Sequence, residues 1–84
     1  MCNKLADTVE LMTSKDYEDR FLAEYFQLRI RYDRLKTMLD EYDTRSLEFD
    51  LSCSPSLLKH QLSHMQGYLK VLEYRANIEG IQIN

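Results

Sequence analysis

Between Phe21 and Tyr42 the chain holds a pattern that leaves little choice of fold. Phe21, Tyr25, Leu28, Tyr32, Leu35, Leu39 and Tyr42 are separated by alternating steps of four and three. On a helix of about 3.6 residues per turn, that spacing makes one continuous apolar stripe. No Pro or Gly interrupts it, and good helix formers fill the remaining positions, so the stretch predicts one long helix. A second four-three series follows in Leu58, Leu62, Met65, Leu69, Leu72 and Ala76. Two such seams predict an all-α fold, an antiparallel helical hairpin in which the seams face each other.

Capping chemistry sets the boundaries. Leu5, Val9 and Met12 fall at i, i+4 and i+7 after Asn3, a good N-cap, which predicts a short N-terminal helix over about 4–12. Thr13 and Ser14 restart the chain, with Asp16 in a capping-box position and Glu18 and Asp19 where a helix N-terminus favours negative charge. The long helix is therefore placed at about 15–43, ending where Asp43, Thr44 and Ser46 weaken it. Leu47, Phe49 and Leu51 alternate with polar residues, the pattern of an extended connector. Either these three side chains pin it onto the helices, or it pairs with the same segment of another subunit. Ser54 followed by Pro55 starts the last helix, and Gly80 closes it with Ile81 folding back toward Ala76, giving about 55–79.

One domain, 1–84, accounts for the chain. At 84 residues a monomer buries only ~60% of the surface that its unfolded chain exposes, so self-association is expected. Apolar rows left over beside the seams point the same way. Leu57, His64, Tyr68, Val71 and Ile78 form one on the last helix, which marks contact between subunits of a homo-oligomer. Leu22, Phe26 and Ile30 form another on the long helix; it carries the N-terminal helix, or a neighbouring subunit, or both. Gly67 in mid-helix suggests close approach of another backbone or of a ligand.

A net charge of −3 argues against binding DNA or RNA polymers, which requires a basic surface to displace counterions. Small anions remain open, because they respond to a local field. Two cysteines, Cys2 and Cys53, no secretory segment and no apolar run of ~18 residues predict a cytoplasmic protein with reduced thiols and no membrane association.

The two seams are flanked on one side by a polar and aromatic rim: Arg20, Glu24, Gln27, Arg31 and Arg34 on the long helix, Gln61, His64, Tyr68 and Arg75 on the last. Centring the hairpin on the 43–54 connector puts Arg31 near Tyr68 and His64, and Glu24 near Arg75. Guanidinium forks hold phosphate oxygens, Gln reads a base edge and Tyr stacks on one. Arg20, Gln27, Arg31, Arg34, Tyr68 and Arg75 are thus the candidate ligand-binding residues for a nucleotide-sized anion. The plainer reading is that Glu24 and Arg75 form an interhelical salt bridge and that the arginines are solvated. His60 and His64 have the i, i+4 spacing of metal ligands but lack a third ligand in sequence, and no metal or cofactor is expected. No nucleophile with a base, metal set or phosphate loop can be assembled, so the chain is not expected to be an enzyme.

The runs ELMTSKDYEDRFLAEYFQLRIRYDRLKTML and CSPSLLKHQLSHMQGYLKVLEYRANIEGI resemble a family of small phage and prophage proteins related to a crAss-like phage protein of unknown function. That resemblance spans residues 10–81. Gln27, Arg31, Tyr32 and Leu35, with Ala76, Asn77 and Ile78, are also similar to the helical hairpin sponges with which phages blunt CBASS and Thoeris immunity. The second resemblance implies an oligomer that traps a cyclic nucleotide-type signal in the host cytoplasm without turning it over. A phage protein that inhibits a host protein by direct contact, or a structural phage factor, is the alternative.

Overall fold

The computed structural model of the chain describes residues 3–83, and every regular element among them is helical. A 3-10 turn over Leu5–Thr8 runs into a single α-turn, α1, Val9–Met12; then come α2, Tyr17–Asp43, and α3, Pro55–Glu79. The short helix expected over about 4–12 is present over 5–12, with its first turn in 3-10 form. Local side chains compete for its backbone: the Asp7 carboxylate accepts from the Asn3 and Lys4 N–H groups at 3.3 and 3.1 Å, and the Thr8 hydroxyl donates to the Leu5 carbonyl at 2.7 Å. Of the two cysteines, Cys2 lies outside the described residues and Cys53 is an exposed free thiol.

The start of α2 falls at Tyr17, later than the capping box at Thr13 suggested. Thr13 instead closes α1 by donating its hydroxyl to the Val9 carbonyl at 2.9 Å, and Asp16 caps α2 by accepting from the Glu18 N–H at 3.2 Å. Ser14 braces this corner, accepting from the Asp16 N–H and donating to Asp19. At the start of α3, Ser54 accepts from the Leu57 N–H at 3.1 Å and Pro55 takes the first helical position.

Both long helices end in the same hydrogen-bond pattern. Ile81 N–H reaches the Ala76 carbonyl around left-handed Gly80, and Ser46 N–H reaches the Glu41 carbonyl around Arg45. Arg45 thus holds a φ of 61°, where a side chain is strained and glycine is not. The connector beyond it is irregular. Leu47 and Leu51 are half-buried, but Phe49 is 60% exposed, so the three side chains do not share the buried edge expected of them.

The seams meet as expected. Phe21 and Tyr25 of α2 pack with Leu69, Leu72 and Ala76 of α3 and with Ile81, and Leu22, Phe26, Leu28, Tyr32 and Ile83 close around them. This core occupies the open end of the hairpin, away from the connector. Leu22 and Phe26, expected with Ile30 as a row beside the seam, are half-buried and pack against this core. The N-terminal segment lies on another face of α2, where the Gln27 amide donates to the buried Thr8 hydroxyl at 2.9 Å and approaches the Met12 sulfur at 3.3 Å. Ala23, one turn earlier on that face, is also buried.

The resulting body measures 43 × 24 × 19 Å, with a radius of gyration of 14.8 Å. A compact chain of this length has a radius near ~12 Å, so the hairpin is a rod with much of its side surface open. No helix among the described residues is long and apolar enough to cross a membrane.

Leu72 has no exposed surface, so Leu72→Ala should lower unfolding stability by about 2–5 kcal/mol, measured by urea titration. Arg45→Gly should act oppositely, raising it by roughly 0.5–1 kcal/mol through relief of the left-handed residue. A loss of stability in Arg45→Gly would show that the arginine side chain, and not the turn geometry, matters there.

Candidate functional site

The six candidate residues do not form one continuous rim. They separate into positions tied into the hairpin and positions that face outward with no partner among the described residues.

At the open end, α2 and α3 are clasped by three polar groups. The Tyr17 hydroxyl donates to Glu79 Oε1 at 2.6 Å, while Arg75 donates from Nη2 to the Tyr17 oxygen at 2.9 Å and from Nε to Glu79 Oε2 at 3.3 Å. The Arg75 guanidinium also lies over the Phe21 ring, 5.1 Å from its centre. Expected beside Glu24, Arg75 is instead held by Tyr17 and by Glu79, one turn along its own helix. The spacing of Arg75 and Glu79 was visible in sequence; the role of Tyr17 depended on how far α2 extends past α3.

The middle of the pair shows the other departure from the expected register. The Tyr68 hydroxyl donates to Glu24 Oε2, two helical turns from the expected neighbour Arg31. A phenol O–H finds a charged acceptor in a carboxylate, whereas a guanidinium offers it only donors. On the opposite flank Tyr25 donates to Glu73 Oε2 at 3.0 Å, and Arg29 approaches the same oxygen at 3.8 Å while pairing with Asp33 at 3.5 Å. Arg20 turns back to the α2 entrance, where it donates to the Ser14 carbonyl at 2.8 Å. Gln27 holds the N-terminal segment, as above.

Arg31 and Arg34 remain. Both are exposed, and neither forms a hydrogen bond or ion pair with the described residues. Arg34 borders an open, shallow groove of about 400 Å³ lined also by Asp33, Thr37, Met38 and Glu41 on α2 and by Leu47 and Phe49 of the connector. That volume is in the range of small-molecule sites, roughly 300–1,000 Å³. Phe49, poorly placed as an anchor, presents an aromatic surface there. Sequence reasoning missed its place in this groove because alternation made it one of three side chains holding the connector to the helices or to another subunit. Glu24, by contrast, puts a carboxylate beside Tyr68, which disfavours an anion at that point of the rim.

His60 and His64 touch through their ring nitrogens at 3.0 Å, and no group of three or more potential metal ligands occurs among the described residues.

In the open-end clasp the ionisation of each group follows its neighbours. The hydrogen bond from Tyr17 chiefly holds the Glu79 carboxyl below its ordinary value of 4.5, with Arg75 adding to it. The same bond raises the Tyr17 phenol above 10.0. A depressed carboxyl stabilises the fold above its unfolded pKa, and that contribution is lost as pH falls through the lower, folded value. A raised phenol contributes below its unfolded pKa and loses the contribution as pH rises through the folded value.

These elements define a class: a small all-α hairpin whose interhelical polar groups are largely paired and which leaves Arg31 and Arg34 exposed on α2 without a partner among the described residues. The family model named Sequestin matches residues 15–78, and the chain belongs to the Sequestin family. The match covers both long helices up to the last turn of α3, and the family's name denotes a sequestering role. No curated protein and no solved structure matches the chain.

Tyr17→Phe should move the Glu79 titration midpoint upward, toward the ordinary glutamate value, in carboxyl-detected NMR. An unchanged midpoint would assign the depression to Arg75 alone.

Proposed function

We propose that the protein is a non-catalytic sponge, acting as a homo-oligomer, that captures a cyclic nucleotide-type immune signal of the CBASS or Thoeris kind in the cytoplasm of a phage-infected cell. Membership of a family named for sequestration is the observation that carries this reading. Resemblance to phage hairpin sponges at Gln27, Arg31, Tyr32 and Leu35 supplies the signal class and the phage setting.

The arrangement of charge supports an anionic cargo. Arg31 and Arg34 are three residues apart on α2, exposed and unpaired among the described residues, in a chain whose net charge is −3. Cyclic di- and trinucleotides and cyclic ADP-ribose isomers carry two or more phosphate charges beside flat bases. Two guanidinium forks can take the phosphates, and Phe49, across the groove from Arg34, can take a base by stacking. Arg20 and Arg75 are the outer members of the proposed site and Gln27 and Tyr68 its base-facing groups; each is bound to a protein partner in the hairpin and must exchange it to meet a ligand. Capture without turnover is part of this reading: the groove is lined by Arg34, apolar side chains and two carboxylates, Glu41 and Asp33, of which Asp33 is paired with Arg29.

Calorimetric titration of a panel of cyclic nucleotides and cyclic ADP-ribose isomers tests this directly. Wild type should bind at least one with micromolar affinity or better. Arg31→Ala should weaken that binding by roughly 10- to 150-fold, the equivalent of a charge-assisted contact of about 1.5–3 kcal/mol, with helicity and oligomeric state unchanged. No binding across the panel would sink the sponge reading and favour a protein inhibitor. Equal binding by Arg31→Ala would remove Arg31 from the site.

A further inference from the structure

The outer face of α3 carries a second seam that the hairpin leaves uncovered. Leu57, His60, His64, Gly67, Val71, Tyr74 and Ile78 follow one another at steps of three and four, which on a helix makes a stripe running its whole length. It lies opposite the core seam. Leu69, Leu72 and Ala76 are buried, whereas Leu57, Val71, Tyr74 and Ile78 are 57, 56, 74 and 79% exposed. Tyr68, which sequence alone put in the apolar strip, is drawn out of it by Glu24, and Tyr74 takes its place.

Gly67 stands at the middle of this stripe. A Cβ there meets nothing within 4 Å, and the backbone is ordinary helix, so nothing inside the hairpin calls for the poorest helix former after proline. What glycine provides is an open strip of backbone that another helix can approach closely.

We propose that this face binds a second copy of this chain, α3 against α3, antiparallel about a two-fold axis at Gly67. The spacing of the seam is close to symmetric about that residue. Turning one copy over sets Leu57 toward Ile78 of the other, and His60 and His64 toward Tyr74 and Val71, so apolar ends meet apolar ends. Parallel alignment stacks each histidine on its own copy.

The borders of the stripe select the same orientation. Lys70 lies on one border and Arg75 on the other, five residues on, which is the spacing that brings border residues together between parallel helices. Parallel pairing therefore sets Lys70 against Arg75, whose charge is shared with Glu79. Antiparallel pairing sets Lys70 against Ser63 and Arg75 against Gln61, with no like charges in contact. The face is also large enough: about 32 Å of helix between Leu57 and Ile78, with both borders, is on the order of the ~800 Å² that each partner of a specific dimer buries. The interface lies on α3 and does not depend on which molecule the α2 groove captures.

Sedimentation velocity on the full chain should show a dimer or a multiple of it. Gly67→Leu fits the hairpin, because the space around its Cβ is open, and should weaken association by roughly tenfold or more with unchanged helical circular dichroism. Orientation is read by cross-linking in a Cys2→Ser, Cys53→Ser background. Leu57→Cys chains mixed with Ile78→Cys chains should form mixed disulfide dimers in preference to either homodimer. A monomeric wild type, a Gly67→Leu chain that associates as tightly as wild type, or a predominance of 57–57 and 78–78 links would each overturn the proposal. Were Gly67→Leu to lose helicity, the cross-linking pattern alone would decide.

Discussion

The contact on which the rest of the structure depends is the closure of the two seams around Leu72. A hairpin of two long helices has only one internal face per helix, so the apolar side chains that meet there supply most of what holds it together. Full burial of one leucine stabilises by about 1.5–3 kcal/mol, comparable with a large share of the stability of a small domain. Phe21, Tyr25, Leu69 and Ala76 extend that contact toward the open end, and Ile81 and Ile83 wrap it after the turn at Gly80. Toward the connector the packing is thinner: Leu35, Leu58, Leu62 and Met65 are half-buried, and Leu39 is the buried residue there. A firm open end and a looser connector end put the groove near Arg34 where small rearrangements of the backbone are least opposed.

Apolar seams alone tolerate sliding by a heptad. Register in this hairpin is fixed by tyrosines. Tyr17 with Glu79, Tyr25 with Glu73 and Tyr68 with Glu24 each join α2 to α3 through a phenol hydroxyl and a carboxylate. Each ring lies along the seam or its border while its hydroxyl reaches the polar flank, so one residue contributes packing and alignment together. A one-heptad slip breaks all three bonds and removes Leu72 from its neighbours.

How much of this was legible in sequence follows from the range of each interaction. The helices and their caps rest on contacts within a few residues, and periodicity with Ser54, Pro55 and Gly80 carried that information. The start of α2 was misplaced because Thr13 and Asp16 are both good caps, and only the packing of the N-terminal segment assigns Thr13 to the end of α1. Partners across the hairpin were less legible. A symmetrical fold about the connector put Arg75 beside Glu24, but the choice among several acidic residues within reach belongs to side-chain geometry. The same limit separated Gln27 from the rim: its spacing matched Arg31, yet its amide is taken by Thr8, nineteen residues earlier.

The pairing of tyrosines with carboxylates has a further effect on charge. A carboxylate met across the hairpin by a cation has its charge offset in that pair, as Asp43 has with Lys59 at 3.2 Å. Glu24 is instead held by a neutral phenol, and Glu73 and Glu79 are held partly so, with one arginine sharing each of the latter. Fewer cations are drawn into the hairpin than its acidic composition implies, and Arg31 and Arg34 stay outward. A local positive edge can therefore persist on a chain whose net charge is −3, because potential near a surface depends on which charges are paired and not on their sum. The same tyrosines that align the helices leave those two guanidinium groups uncommitted.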